Sequence, residues 1–478
     1  MTDLAPWLEM EDDLDLWSHA VRGMHLWSLI RYPVLCTMSD PRLGYRELHR
    51  HPPPWKHLGP ARWASLAATT LRWRRSAKRP NDALFFSAAW RRVPVGNGST
   101  TVDRHHGAYY DLFKNPLIFE YALAGHQPAP DGRYADRMLN ADWLWAQNVA
   151  KANLVRLTRQ ECLQIEQFGT FVRREFKLDV NPQRWARQIQ FLLKRCLVIE
   201  PWIKRHLPHR IPSKIAFVTE ATSVQSPKPA IVRALRTVGF RVFEVQHGML
   251  QLGHGAHNFS GAVIANKNHP CRMYLPDQML TYSQWWHSQA RLPIPSCPVG
   301  CPFLDQMVEQ TEAAIPSEPK RILLIMGDHV IQRMTPLAED LSTRLPDYKI
   351  DLKRHPNDRT DPAQYARLAA RPNVEVTQFD NIYERLARSG IIVGGYLTSV
   401  LYEAVAYHGK RIFFFDGLGV HEDVGGSFAT SEQLVQMIRD PNQGKPRFEP
   451  AAAWAPDWRH RIRQVLEHES QRHARLGQ

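Results

Sequence analysis

The chain has 478 residues, 44% of them hydrophobic and 23% charged, which excludes disorder as a reading of most of the chain and supplies apolar material for two to four packed domains. Sixty-one Lys and Arg against 47 Asp and Glu leave a formal charge of +14. Such a surface draws polyanions (nucleic acid, anionic headgroups, phosphorylated small molecules) without specifying a fold, and no aromatic–basic RNA motif or zinc-finger spacing makes nucleic acid an expected partner.

Six cysteines, at 36, 162, 196, 271, 297 and 301, are too irregular for a secreted disulfide framework and read as reduced thiols. Only Cys297 and Cys301 are close, and no second pair completes a zinc site. The segment Met1 to Asp15 is acidic, unlike a signal peptide, and the apolar stretch Met24–Met38 carries Arg31 and Pro33 and is too short to span a bilayer. A cytoplasmic protein is the expectation. Asp13-Leu14-Asp15 has the D-x-D spacing of a metal-dependent transferase but reads as a solvated helix face, because it follows no strand.

In chain order, residues 1–80 predict a mostly helical extension, punctuated by Trp7, Trp17 and Trp27 and broken at His51-Pro52-Pro53-Pro54. Residues 81–310 alternate short apolar runs with helical patterns. The runs Ala83–Phe86, Ile215–Val218, Val242–Val245 and Met279–Tyr282 predict buried strands, and Leu154–Phe176, Trp185–Ile203 and Pro229–Val238 predict helices. The proline- and glycine-rich segment Pro293–Asp305, with Glu312–Pro319 after it, is the best linker.

Residues 311–440 repeat the alternation. Strands are predicted at Arg321–Met326, Tyr348–Lys353, Val374–Thr377, Gly390–Val393 and Ile412–Phe415. Helices are predicted at Thr335–Leu345, Ile382–Ala387 and Ser399–Tyr407. Residues 441–478 form a basic tail, helical from Trp454. The fold class is therefore α/β, with two Rossmann-like domains facing across a cleft and an N-terminal helical extension; ligands in such sheets bind beyond the carboxyl ends of the strands.

Three motifs fall just after predicted strands. Gln246-His247-Gly248 follows Val242–Val245; His247 there could accept a proton, and Gly248 would permit close backbone approach. His254 and His257 follow in the same loop, but no carboxylate completes a metal set there, so no metal is expected. Lys353-Arg354-His355-Pro356 ends the second strand of the later series, where Arg354 suits a phosphate. Gly394-Gly395-Tyr396-Leu397-Thr398-Ser399 opens a helix with small residues and hydroxyls, an anion cradle in kind. Glu403, one turn on, could take a ribose hydroxyl or stabilise the helix start, and Gly327-Asp328 ends the strand Arg321–Met326 in the same position relative to the sheet.

The order Q-H-G, H-P, then Thr398-Ser399 opening a helix with Glu403-Ala404 resembles the bacterial GT-B transferases of capsule, teichoic acid and sialic acid assembly, as does Val299-Gly300 with Leu304-Asp305. The nearest likeness is to the CDP-glycerol glycerophosphotransferase and capsule-polysaccharide glycosyltransferase group, over roughly residues 215–420. The resemblance implies that His355, Thr398 and Ser399 contact donor phosphates and that His247 lies at the reaction centre. The acidic base motif of the sialyltransferases is missing, and Glu220, after Ile215–Val218, is its nearest substitute. The partners implied are a nucleotide-activated donor of CMP, CDP or UDP type, bound as substrate with no cofactor, and a glycan or lipid-linked glycan acceptor of capsule or lipopolysaccharide type, with room for peripheral contact at the inner membrane. A sugar-nucleotide epimerase of the same fold and a non-catalytic basic nucleic-acid binder are the alternatives.

Overall fold

The computed structural model describes residues 4–39, 68–69, 71, 73, 80–88, 92–95, 100–121, 134, 137–141, 144, 151–251, 253–325, 331–355, 358, 363–378, 381–395, 398–415, 422–447 and 449–476. The chain divides into two compact units. The first comprises residues 1–281, 286–298 and 464–478, and the second 282–285 and 299–463.

The described strands are β1 (Ala20–Val21), β2 (Met24–His25), β3 (Ala83–Ala88), β4 (Arg92–Val95), β5 (Thr100–Asp103), β6 (Pro116–Tyr121), β7 (Met138–Asn140), β8 (Ile215–Val218), β9 (Arg241–Val245), β10 (Gln278–Thr281), β11 (Ser296–Pro298), β12 (Glu318–Ile325), β13 (Lys349–Lys353), β14 (Val374–Thr377), β15 (Ser389–Gly394), β16 (Arg411–Phe415) and β17 (Gly426–Phe428). The first unit carries a seven-stranded sheet in the order β11-β10-β9-β8-β3-β6-β7. All its pairings are parallel. Counted within the sheet, the chain starts at the centre with β3, runs outward through β6 and β7, and returns beside β3 at β8. That is the doubly wound Rossmann order, with its switch point between β3 and β8.

Alternation along the strands supplies both faces of this sheet. Leu84 and Phe86 of β3, with Leu117, Phe119, Ala216 and Val218, pack with Ile199, Trp202 and Ile203 of the helix Pro182–His206 and with Ile231 and Leu235 of the helix Lys228–Thr237. On the alternate positions Phe85 stacks on Phe217 at 4.6 Å, and Phe217 on Phe243 at 5.4 Å. The helix Arg159–Glu175 begins in a capping box between Thr158 and Glu161.

The N-terminal segment belongs to the first unit. Its helices are Ala5–Asp13 and Trp27–Ser39. Asp13 and Asp15 of the D-x-D spacing are both exposed there, as expected of a solvated face.

The second unit carries a six-stranded sheet in the order β14-β13-β12-β15-β16-β17, again all parallel and again doubly wound, with the switch point between β12 and β15. Ile322, Leu324, Ile350, Leu352, Ile391, Val393, Phe413 and Phe415 form its core with the helices Ile331–Arg344 and Ser431–Arg439. The buried Asp351 receives Arg321 at 2.6 Å and Arg385 at 3.1 Å, so this charge inside the sheet is fully paired.

Several boundaries differ from the sequence reading. The linker segment contains β11 and the helix Pro302–Ala314, and the unit boundary falls between Pro298 and Val299. The helix after the Gly394 turn ends at Ala404, short of Tyr407. The tail helix is Trp458–Leu476, whose first six residues group with the second unit and the rest with the first. Among the described residues, no helix is long and apolar enough to cross a membrane.

Candidate functional site

In the first unit, two sequence-predicted residues stand at the carboxyl ends of adjacent strands, β8 for Glu220 and β9 for His247. Glu220 has φ 52° and Val224 has φ 48°, both left-handed, on either side of the short helical turn Ala221–Ser223. A β-branched residue there is strained by about 1–3 kcal/mol, which the surrounding structure must offset. The Glu220 carboxylate accepts from Lys228 Nζ at 2.6 Å, so an ammonium competes with any proton for its lone pairs. Gln246 is buried, with its side chain donating to Gly248 O at 2.7 Å. A Cβ on Gly248 would meet nothing within 4 Å, so no close contact within the protein demands a glycine there.

The residue that the sequence reading passed over is Glu244. Standing inside β9, it read as one more strand position; in the fold it is fully buried. Thr222 donates to it through its backbone N–H at 2.6 Å and its hydroxyl at 3.2 Å. His247 Nδ1 lies 3.5 Å from Glu244 Oε1. The ring of His257 lies 5.6 Å from that of His247, and the ring of His254 stacks on His257 at 5.0 Å. His105 meets His247 edge-on at 6.2 Å.

The loop therefore does have a carboxylate beside its histidines, delivered by the preceding strand instead of the loop itself. Ligand atoms of Glu244, His247 and His257 all lie within 4.8 Å of one another. Burial, with the charge of His247 next, lowers the His254 pKa to about 4. Burial and then the neighbouring imidazoles hold His257 well below the ordinary histidine value, so both rings are neutral at pH 7.

The N-terminal helices hold this loop in place. Arg31, fully buried, pairs with the equally buried Glu11 at 2.8 Å and donates to Gly255 O at 3.0 Å and Asn258 O at 2.7 Å. Glu11 also receives the indole N–H groups of Trp17 at 2.7 Å and Trp27 at 2.8 Å. The Asn258 amide spans the loop, donating to Gln251 O at 2.7 Å and His254 O at 2.9 Å. Gly255 is required by contact, since a Cβ there would come within 2.8 Å of Leu35 Cβ.

In the second unit, β15 ends at Gly394, at the switch point beside β12, and the next helix begins at Ser399. Thr398 caps the following helix, with its hydroxyl oxygen accepting from Val400 N at 3.3 Å. The hydroxyl of Ser399 donates to Glu403 Oε1 at 2.8 Å, and Tyr383 donates to the other carboxylate oxygen at 2.9 Å. Glu403 is buried and held by these two donors, which favours its helix-stabilising role over a ribose contact.

Arg354 follows β13. Its Nε donates to Asp358 at 2.8 Å, its guanidinium lies 4.3 Å from the Tyr365 ring centroid, and Tyr365 itself donates to Asp358 at 2.7 Å. Those contacts orient the guanidinium and offset part of its charge. The carbonyl of His355 accepts from Gln378 Nε2 at 3.3 Å. Gly395 is buried. Pro356, Tyr396, Leu397, Gly327 and Asp328 lie outside the described residues.

No protein-family model matches the chain, and no curated protein matches it either. Solved structures similar to it do exist. A UDP-GlcNAc 2-epimerase from Neisseria meningitidis, bound to UDP-GlcNAc, is 10% identical, with 81% of this chain aligned to 100% of that one at a TM-score of 0.44. A glycosyltransferase from Rickettsia africae is 12% identical over 83% of this chain and 97% of its own, at a TM-score of 0.40. A lipopolysaccharide outer core galactosyltransferase is 12% identical over 81% and 99% respectively, at a TM-score of 0.35.

Proposed function

We propose that this chain is a glycosyltransferase of the GT-B type, moving a sugar or related group from a nucleotide-activated donor to a glycan acceptor of the capsule or lipopolysaccharide kind. One observation carries the reading: β15 ends at Gly394 and the next helix opens at Thr398-Ser399 at the switch point of a doubly wound sheet, where such folds bind nucleotides. In this reading the second unit holds the donor. His355, the backbone around Gly395 and the Thr398 hydroxyl, whose proton is still available for donation, face the departing phosphate. One fixed donor of this sort contributes on the order of 3 kcal/mol to the transition state.

The first unit takes the acceptor. His247, with Glu244 beside Nδ1, is the better proton acceptor of the two expected residues, because Glu220 is tied to Lys228. The test is transfer of label from a panel of nucleotide sugars to glycan acceptors by wild type, His247→Ala and His355→Ala. The reading expects loss of transfer in His247→Ala with nucleotide binding kept, and weakened donor turnover in His355→Ala. Wild-type rates in both variants would overturn it. Release of free sugar and nucleotide without any acceptor would point to the epimerase chemistry instead.

A further inference from the structure

We infer that Glu244, His247 and His257 form a binding site for one divalent transition-metal ion of the zinc type. The inference rests on the placing of the first unit's reactive centre at His247 and adds a ligand that the transferase reading does not require.

Three observations point to a ligand. First, the donor set is chemically right: two imidazoles and a carboxylate, the composition of sites that leave a fourth position open. Second, the spacing suits it. Bonds of about 2.0–2.1 Å in a tetrahedron put neighbouring ligand atoms about 3.3 Å apart. His247 Nδ1 and Glu244 Oε1 are already 3.5 Å apart, and the three ligand atoms all fall within 4.8 Å of one another, so a small side-chain adjustment closes the set. Third, polar atoms are left unsatisfied in the right place. His257 is only 2% exposed, yet neither of its ring nitrogens has a hydrogen-bond partner, and His247 Nδ1 is likewise buried without one. A buried imidazole with both nitrogens idle is costly unless something binds there.

The surroundings are those of a prepared site. Thr222 fixes the Glu244 carboxylate with two hydrogen bonds, the kind of outer contact that orients a ligand. The loop on either side of His257 is held by Arg31, which donates to Gly255 O and Asn258 O, and by the Asn258 amide, which donates to His254 O. A cation held here would keep a water or hydroxyl oxygen in its fourth position and acidify it. Its Lewis acidity would then be available at the centre, with Glu244, His247 and His257 holding it.

The test uses the whole 478-residue chain, stripped with EDTA, dialysed and titrated with Zn²⁺ and separately with Co²⁺. The site predicts one tightly held Zn²⁺ per chain and the intense visible absorption of four-coordinate Co²⁺. His257→Gln should weaken Zn²⁺ binding by at least about 100-fold, more than the 10–100-fold that an outer-shell change costs. His247→Gln, at a side chain 13% exposed and so less enclosed than His257, tests the same prediction a second time, and circular dichroism verifies the fold of each variant. A stripped wild-type chain that takes up no Zn²⁺ on titration, or Zn²⁺ binding unchanged in both variants, would overturn the inference. Transfer by a chain that takes up no Zn²⁺ would leave the transferase reading standing and remove the metal. Stoichiometric Zn²⁺ without transfer would do the reverse.

Discussion

Replacing Arg31 with Met should destabilise the first unit more than any surface change in it. The guanidinium is fully buried, with two hydrogen bonds to Glu11 and one each to Gly255 O and Asn258 O. Methionine fills similar space but leaves the Glu11 carboxylate buried with only the two indole donors and strips two loop carbonyls of their partner. Breaking one side of a buried ion pair costs about 3–5 kcal/mol. The first unit has roughly 300 residues, and at about 2.1 cal/mol/K per residue its unfolding entropy is about 0.6 kcal/mol/K, so Tm should fall by about 5–8 °C. Calorimetry of the full chain reads this directly. Adding Glu11→Gln to the variant should recover part of the loss, because the stranded charge is then gone. A shift under about 1 °C for Arg31→Met would refute the claim that this pair holds the histidine loop.

Three further outcomes follow from local physics. Lys177, exposed at φ 48°, ends the helix Arg159–Glu175 in a Schellman arrangement, with Leu178 N bonded to Arg173 O and Lys177 N to Arg174 O; Lys177→Gly should therefore stabilise the chain by about 0.5–1 kcal/mol in urea unfolding, and a loss would contradict the assigned backbone. Burial lowers the Lys410 pKa to about 8, and its ammonium donates to Ala387 O and Ser317 Oγ. The unfolded chain holds that proton up to about pH 10.4, so between pH 8 and 10 the unfolded state binds more protons and stability rises with pH. Wild type should gain on Lys410→Met by on the order of 1–3 kcal/mol across that window, and parallel pH profiles would refute it. Of the six thiols, Cys36, Cys196, Cys271 and Cys301 are buried, and burial raises the Cys196 pKa to about 11. Titration of the native protein with a thiol reagent should show at most Cys162 and Cys297 reacting quickly; four or more fast thiols would contradict this packing.

What could be read from the sequence follows from where polar residues fall. Strands such as β8 and the Ile412–Phe415 part of β16 are unbroken apolar runs, and the alternation of such runs with helical patterns made both doubly wound sheets readable. The strand β6 escaped notice because it begins at Pro116 and contains Glu120, a buried carboxylate that Arg92 reaches from β4 at 2.7 Å. The strand β17 is three residues long and starts with glycine. Charge misled most in the first forty residues. Glu11 and Arg31 are twenty positions apart, and nothing in their local pattern marks them as partners at the centre of a core. Glu244 was hidden for a related reason. A glutamate within a strand suggests a solvent face, and only the placing of β8 beside β9 brings Thr222 to its carboxylate and His257 near it. The places of Arg354 after β13 and of Gly394 at the end of β15, by contrast, were legible because each follows a readable strand pattern directly.

The most direct test of the transferase account is calorimetric melting of the wild-type chain and of Thr398→Val with CMP, CDP, UDP and GDP. The account predicts that at least one nucleotide, at 100 times its Kd, stabilises the second unit of the wild type by about 2.7 kcal/mol, and that Thr398→Val at the same concentration keeps much less of that gain. No stabilisation by any of the four, or equal stabilisation of both proteins, would contradict the placing of the donor at the Gly394–Ser399 turn.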